Sequence, residues 1–289
     1  MSKFYTQTVH SDILIHWTGK DFDLEVKEDF YSNEAIKHPS IIKDDVLIDK
    51  YLMRLKNILL YGFWVVDVED TIGINGNNFS ITKFPMVCFT ELKLSESRKH
   101  AFRYGRLGIG LKRLFVVGRG GQPVQYLHHQ GKSHFFPPYV DESELIQSKY
   151  AFFKRMNSTS DLNYDMFSES EWRIVYDQSF RLEEHYVNPR GNLTVEFKKY
   201  SYGEFLKFDE FEKYCEEAIK DDRLKYLLPL NGWLAMVIYP SPQVKNRAAE
   251  LKINELIDNI KTKNHRTINP AYEQKMMPVE LDLDLCDHF

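Results

Sequence analysis

The sequence predicts a single α+β domain spanning residues 1–289, built on a mixed, mainly antiparallel sheet with helical insertions. Three observations predict it. Short apolar strand candidates and helical periodicities follow one another in irregular order, not as repeated βαβ units. Seventeen tyrosines and twenty phenylalanines favour strands and packed cores over a helical bundle. No internal repeat or low-complexity linker divides the chain.

The elements follow in order. Asp12 to Thr18 (DILIHWT) reads as a short buried strand bounded by Gly19, and Lys20 to Asp44 is charged and irregular. Leu47, Ile48, Tyr51, Leu52, Leu55, Ile58 and Leu59 recur at helical spacing, which predicts a helix over 45–60 with Gly62 as its stop. Ile72 to Asn78 reads as a turn and Phe84 to Thr90 as a second buried strand. Ser95 caps a predicted helix that ends at Gly105. Leu107 to Lys112 and Leu114 to Val117 read as strands, Gly118 to Pro123 as a break, and Val124 to Leu127 as extended chain. Ser143 caps a predicted helix through Met156, and Glu171 to Tyr176 (EWRIVY) is a strand. Asn192 to Phe197 alternates as a strand does, Phe208 to Ile219 is helical, and Gly232 to Tyr239 is a strong strand. Ser241-Pro242 opens a helix to about Lys263, with proline at its first position. Residues 279–289 (VELDLDLCDHF) alternate apolar and acidic residues, the pattern of an edge strand or of a detachable peptide.

Composition narrows the function. A net charge of −4 is not that of a dedicated duplex-DNA binder. Cys88, Cys215 and Cys286 are odd in number and far apart, so neither a disulfide framework nor a cysteine zinc site is expected. His128, His129 and His134 cluster, but adjacent residues of an extended chain point apart, so no metal site is predicted. Gly108 and Gly110 lack the third glycine of a dinucleotide fingerprint, and no Walker A sequence occurs. The start lacks a signal-peptide pattern, and the longest apolar stretch, Ile58 to Val66, is interrupted by Gly62. The expectation is a cytoplasmic protein with no membrane contact.

Two constellations carry chemistry. His16 and Thr18 sit two apart on the first strand, where they share a face. This H-x-T resembles the first-strand motif of ADP-ribosyltransferases of the His-Tyr-Glu kind, which implies that His16 and Thr18 hold the nicotinamide ribose of NAD. That reaction needs a carboxylate to offset the charge that develops on the sugar, as glycoside hydrolysis does. Glu171 is the candidate, with Glu169 two residues earlier, and Tyr104 or Tyr126 offers an aromatic platform for the nicotinamide. The competing structural reading is a hydrogen-bonded core histidine and an exposed Glu171–Arg173 ion pair. The second constellation runs over 98–121. It carries Arg98, Lys99, Arg103, Arg106, Lys112, Arg113 and Arg119 with no acid, and Phe102 and Tyr104 are interleaved. Such a stretch suits a dinucleotide pyrophosphate, RNA or single-stranded DNA; the competing reading, which comes first, is a solvated helix face followed by strand ends.

Five blocks in order resemble the AbiGi family of abortive phage-resistance proteins. They are His16-Trp17-Thr18, Met86 to Glu91, Tyr104 to Gly110, Pro123 to Tyr126, and Glu169 to Ile174. The resemblance implies a role in abortive infection, where an infected cell halts its own growth, and an antitoxin-like component beside a toxin. Three readings stay open. One is an NAD-using transferase acting on protein or nucleic acid. Another is a non-catalytic antitoxin or sensor that binds a toxin or phage protein. A nuclease-like effector would need clustered acids that the sequence does not display.

Overall fold

The computed structural model describes residues 11–74, 77–91, 93–127, 148–155, 169–176, 188–190, 208–230, 233–252 and 278–288. Strand β1 (Ile13–Thr18) pairs antiparallel along its whole length with β4 (Leu107–Lys112), from Ile13 opposite Lys112 to Thr18 opposite Leu107. Beyond β4 come β10 (Leu234–Tyr239), antiparallel to it, and β11 (Val279–Asp282), parallel to β10 at the sheet's edge. On the other side, β2 (Phe63–Ile74) and β3 (Asn77–Thr90) form a long hairpin, and β9 (Leu224–Leu228) adds to β2. Strand β8 (Glu171–Val175) pairs with β3, and the short β5 (Gln122–Pro123) pairs with β8. A separate parallel pair joins β6 (Gln125–Leu127) to β7 (Phe153–Arg155). The architecture is the α+β arrangement expected, with a mainly antiparallel sheet.

The sheet is accompanied by helices α1 (Lys20–Glu25), α2 (Asp45–Tyr61), α3 (Ser97–Tyr104), α4 (Arg113–Val117), α5 (Phe208–Ala218), α6 (Pro242–Ala248) and α7 (Leu283–Cys286), and residues 148–150 are helical as well. Helix α2 realises its periodicity. Leu47, Ile48, Tyr51, Leu55, Ile58 and Leu59 pack against Leu14, Phe63, Val65 and Phe89 of the sheet. The Asp44 side chain caps its start by accepting from the Val46 amide at 2.9 Å. Gly62 ends it at φ 97°, and a Cβ there would lie 2.2 Å from the Leu228 carbonyl oxygen.

The opposite face of β1 and β4 holds a second core, with Ile15 and Trp17 packed against Ala101, Met236, Ile238 and Leu283. Gly108 and Gly110 lie beneath it. A Cβ on Gly110 would meet Met236 Cβ at 2.7 Å, so these glycines serve close packing between strands.

Several expectations change. Leu114–Val117 is helix, not strand: Phe115 and Val116 are buried while Leu114 and Val117 are exposed. Two adjacent buried residues flanked by exposed ones fit a helical turn, because a strand turns neighbours to opposite faces. The strands of the β2–β3 hairpin run to Ile74 and from Asn77, so the turn is tighter than 72–78. Residues 148–150 are helical as expected, but Phe153–Arg155 is strand where the helix was expected to run through Met156. Residues 279–282 take the edge-strand form. The Ser241 hydroxyl caps α6, which is described to Ala248 and continues as a 3-10 turn to Leu251. The Ser143 cap, Asn192–Phe197, the histidines at 128, 129 and 134, and residues 253–263 lie outside the described residues. No helix among the described residues is long and apolar enough to cross a membrane.

Candidate functional site

Strands β1 and β3 share one register pair, Ile15 with Thr90. Past it the two backbones part, and the His16 side chain takes over, its Nδ1–H donating to the Cys88 carbonyl at 2.9 Å. A cavity of about 430 Å³ opens beside this junction. A pocket on one face of a sheet touches alternate residues of each strand. This one touches Ile15, His16 and Trp17 in succession, and Met86 through Thr90 in succession, so it lies between strand edges.

The far wall is polar. Register places Glu171 opposite Thr90 and Arg173 opposite Cys88, so both side chains project to the face that lines the cavity. Glu171 accepts from Arg173 Nε at 2.8 Å and from Lys154 Nζ at 2.8 Å. Lys154, at the centre of β7, also donates to Glu169 at 2.6 Å. Glu169 precedes the strand and reaches the same lysine because Ser170 takes a left-handed φ of 45°. Its other oxygen accepts from the Tyr104 hydroxyl at 2.5 Å, with Arg103 Nε at 3.7 Å. Glu171 is 8 % exposed and Arg173 2 %, so their pair is internal and not the surface contact that the bland reading supposes.

These surroundings set the protonation states. Burial alone would raise the Glu171 carboxyl, but Arg173 and then Lys154 hold it down at about 2. Burial penalises the Lys154 ammonium, yet Glu171 and Glu169 keep it firmly protonated. Burial lowers both His16 and His100 to about 4, so each imidazole is neutral near pH 7. With Nδ1 donating to Cys88, His16 presents Nε2 as an acceptor. Burial pushes the Cys88 thiol up, which keeps it unreactive. Glu171 at about 2 is too weak a base to take a proton near neutrality. It can offset a positive charge.

The structure brings His16, Tyr104, Glu171 and Glu169 to one cavity. It does not bring Thr18 or Tyr126 to that lining. The Thr18 hydroxyl accepts from Arg54 at 2.9 Å, and the Tyr126 hydroxyl accepts from the Glu171 amide at 2.9 Å, each supporting a site residue's strand from outside. Lys154, His100, Trp17 and Arg173 line the cavity and had no signal in the sequence as site residues. A lysine or histidine within a short element has no local mark of inward orientation.

The basic stretch is not one surface. Arg106 is 1 % exposed and bonds Asp23 at 3.0 and 3.1 Å, with Tyr31 and Tyr51 donating to the same carboxylate. Arg98 is buried against Asp284, Asp287 and the carbonyls of Ile36 and His38. Arg113 pairs with Glu91, and Arg103 turns towards Glu169. Lys112 is half-buried at the end of β4. Arg98 and Arg106 are thus withdrawn from any nucleic acid, because each is itself buried and paired with acids from a distant part of the chain. Among the described residues, no group of three or more histidines, cysteines and acids is arranged to hold a metal ion.

Residues 67–136, about a quarter of the chain, match the family model described as "Putative abortive phage resistance protein AbiGi, antitoxin". The matched segment contributes β3, α3 and β4 to the cavity and its surroundings. No curated protein and no solved structure is significantly similar to the chain.

Proposed function

We propose that this chain is a phage-defence protein that acts through the cavity between β1 and β3, taking the nicotinamide-ribose half of NAD as substrate. The observation that carries this reading is that His16 and Glu171, remote in sequence, line one cavity. In it, His16 Nε2 accepts from a ribose hydroxyl and Tyr104 offers a ring against the nicotinamide. The bond between ribose carbon and nicotinamide nitrogen breaks with its electron pair leaving on the nitrogen. The Glu171 carboxylate offsets the charge left on the sugar until an acceptor nucleophile bonds that carbon and loses its proton to solvent water. Lys154 partly cancels Glu171 at rest. Its existing bond to Glu169 gives it a second position from which Glu171 is less screened.

A second reading is favoured by the family description and by the balanced charges of the site. Glu169 and Glu171 are already neutralised by Lys154 and Arg173. A non-catalytic antitoxin that binds a toxin partner needs no reactive carboxylate. Nucleic-acid binding through 98–121 has less support, since Arg98 and Arg106 face inward.

Labelled NAD incubated with the protein and an extract of phage-infected cells separates the readings. Under the first, label passes to protein or nucleic acid, and both Glu171→Gln and His16→Asn abolish it while circular dichroism stays native. Absence of transfer by folded wild-type protein, in an extract shown to support a control transferase, rules out the first reading in favour of the second.

A further inference from the structure

The C-terminal segment, β11 and α7, supports two elements that line the cavity. The first is β1. Leu281, Leu283 and Cys286 are buried in one cluster with Ile15 and Trp17, and Ile15 and Trp17 also line the cavity. Two lining residues from the start of the chain thus rest on side chains delivered from its far end.

Helix α3 is the second connection. In its first turn, Arg98 Nε donates to Asp287 at 2.6 Å and Arg98 Nη2 donates to Asp284. Arg98 Nη1 donates to the Ile36 and His38 carbonyls at 2.9 and 2.8 Å, so each guanidinium nitrogen is engaged. The Asp284 carboxylate also accepts from the Ser40 amide at 2.8 Å, which ties α7 to the chain at a second place. Ala101, one turn further on, packs in the same cluster as Leu283 and Cys286. His100 and Tyr104 of the same helix line the cavity, and Tyr104 donates to Glu169, another lining residue. The helix is only about 12 Å long and internally hydrogen-bonded. A displacement at Arg98 is therefore carried to Tyr104.

We infer that residues 279–287 form a positioning strap for the cavity, acting through Arg98 and α3 on one side and through β1 on the other. Arg98 touches no ligand in this arrangement and is a positioning residue. Docking of the strap fixes Ile15, Trp17, His100 and Tyr104, and a ligand held by those residues favours the docked strap in return. Freeing the strap loosens the cavity, so the site is controlled from the C-terminal segment. The ligand half of this coupling, read with NAD, rests on the function proposed above; the mechanical half does not.

The full chain carrying Asp284→Asn and Asp287→Asn tests the strap, because the pair removes both charges at Arg98 and keeps side-chain shape. Amide hydrogen exchange compares it with wild type and with Ile48→Val, which loosens the first core at α2. Peptides covering α3 and residues 169–175 should lose protection at least tenfold beyond that control, while β9 keeps its own. Residues 169–175 are decisive, since α3 reaches them through the Tyr104–Glu169 bond. Asp284→Glu with Asp287→Glu should restore most of the protection. Loss confined to α3 and residues 279–288, or a uniform loss like that of Ile48→Val, overturns the strap. Asp287→Asn alone, at the more exposed of the two carboxylates, serves if the asparagine pair does not fold. In calorimetry, the asparagine pair should bind NAD at least tenfold more weakly, and Ile48→Val as wild type does. Equal NAD binding by wild type and the asparagine pair overturns the strap's hold on the ligand. Wild-type protein that binds no NAD overturns the NAD reading instead, and the exchange result still decides the strap.

Discussion

The His16 imidazole reaches the Cys88 carbonyl at 2.9 Å where backbone pairing between β1 and β3 has stopped after Ile15 and Thr90. One side chain thus holds closed the junction beside which the cavity lies. His16→Leu keeps the volume but leaves the Cys88 carbonyl without that donor. An expected loss of about 1–3 kcal/mol follows from an unmade buried hydrogen bond. Urea denaturation checks it, and His16→Asn should recover part of the loss.

Acid should weaken the fold before its carboxylates titrate. His16 and His100 have folded values near 4, below the ordinary histidine value, because burial disfavours their charged forms. The unfolded chain therefore binds more protons between about pH 6.5 and pH 4. Stability is full above that window and is lost as pH falls through it, by a few kcal/mol on the order-of-magnitude scale of such shifts. Melting temperatures from pH 8 to pH 4 measure the slope. The double variant His16→Gln, His100→Gln should flatten it, and an unchanged slope would remove these two residues as its source.

Glu171 titrates lower still. Its folded value of about 2 lies below the ordinary carboxylate value, so its contribution is complete above about pH 4.5 and disappears as pH falls towards 2. Glu171→Gln leaves Arg173 buried with one anionic partner fewer. Breaking a buried pair from one side costs about 3–5 kcal/mol. Lys154 still bonds Glu169 in that variant, which holds the expected loss towards the lower end.

The Arg106–Asp23 pair is the deeper of the buried ion pairs, with both side chains almost without exposure. Arg106→Leu strands the Asp23 carboxylate between Tyr31 and Tyr51. The expected loss is again about 3–5 kcal/mol. Asp23→Asn, Arg106→Leu together should recover much of it, since the uncompensated charge is then gone. A double-mutant cycle in guanidinium reads the coupling directly.

Removing residues 279–289 should destabilise the protein. Leu281 and Leu283 are buried in the second core, and Asp284 and Asp287 hold Arg98. Each buried leucine contributes about 1.5–3 kcal/mol. A drop in the melting temperature and new binding of a hydrophobic dye are the expected signs. A truncated chain as stable as the full one would show the segment to be a detachable peptide.

The local pattern of the sequence determined much of the frame. The seven periodic apolar residues of α2 and the stop at Gly62 are settled by near neighbours along the chain. So are the buried strands β1, β4, β8 and β10, whose apolar runs are bounded by glycine, proline or charge. His16 and Glu171 were singled out from residue type and strand position alone, and they line one cavity.

Only the tertiary structure decided the rest, because each remaining feature depends on a partner far away in sequence. Arg98 and Arg106 read as surface charge until Asp284, Asp287 and Asp23 arrive to bury them. The packing role of the β4 glycines depends on Met236 and Ile238, which fill their space. Lys154, Trp17 and His100 carry no local mark of a site. They become one wall when β7, β1 and α3 meet, which long-range packing governs and local periodicity does not.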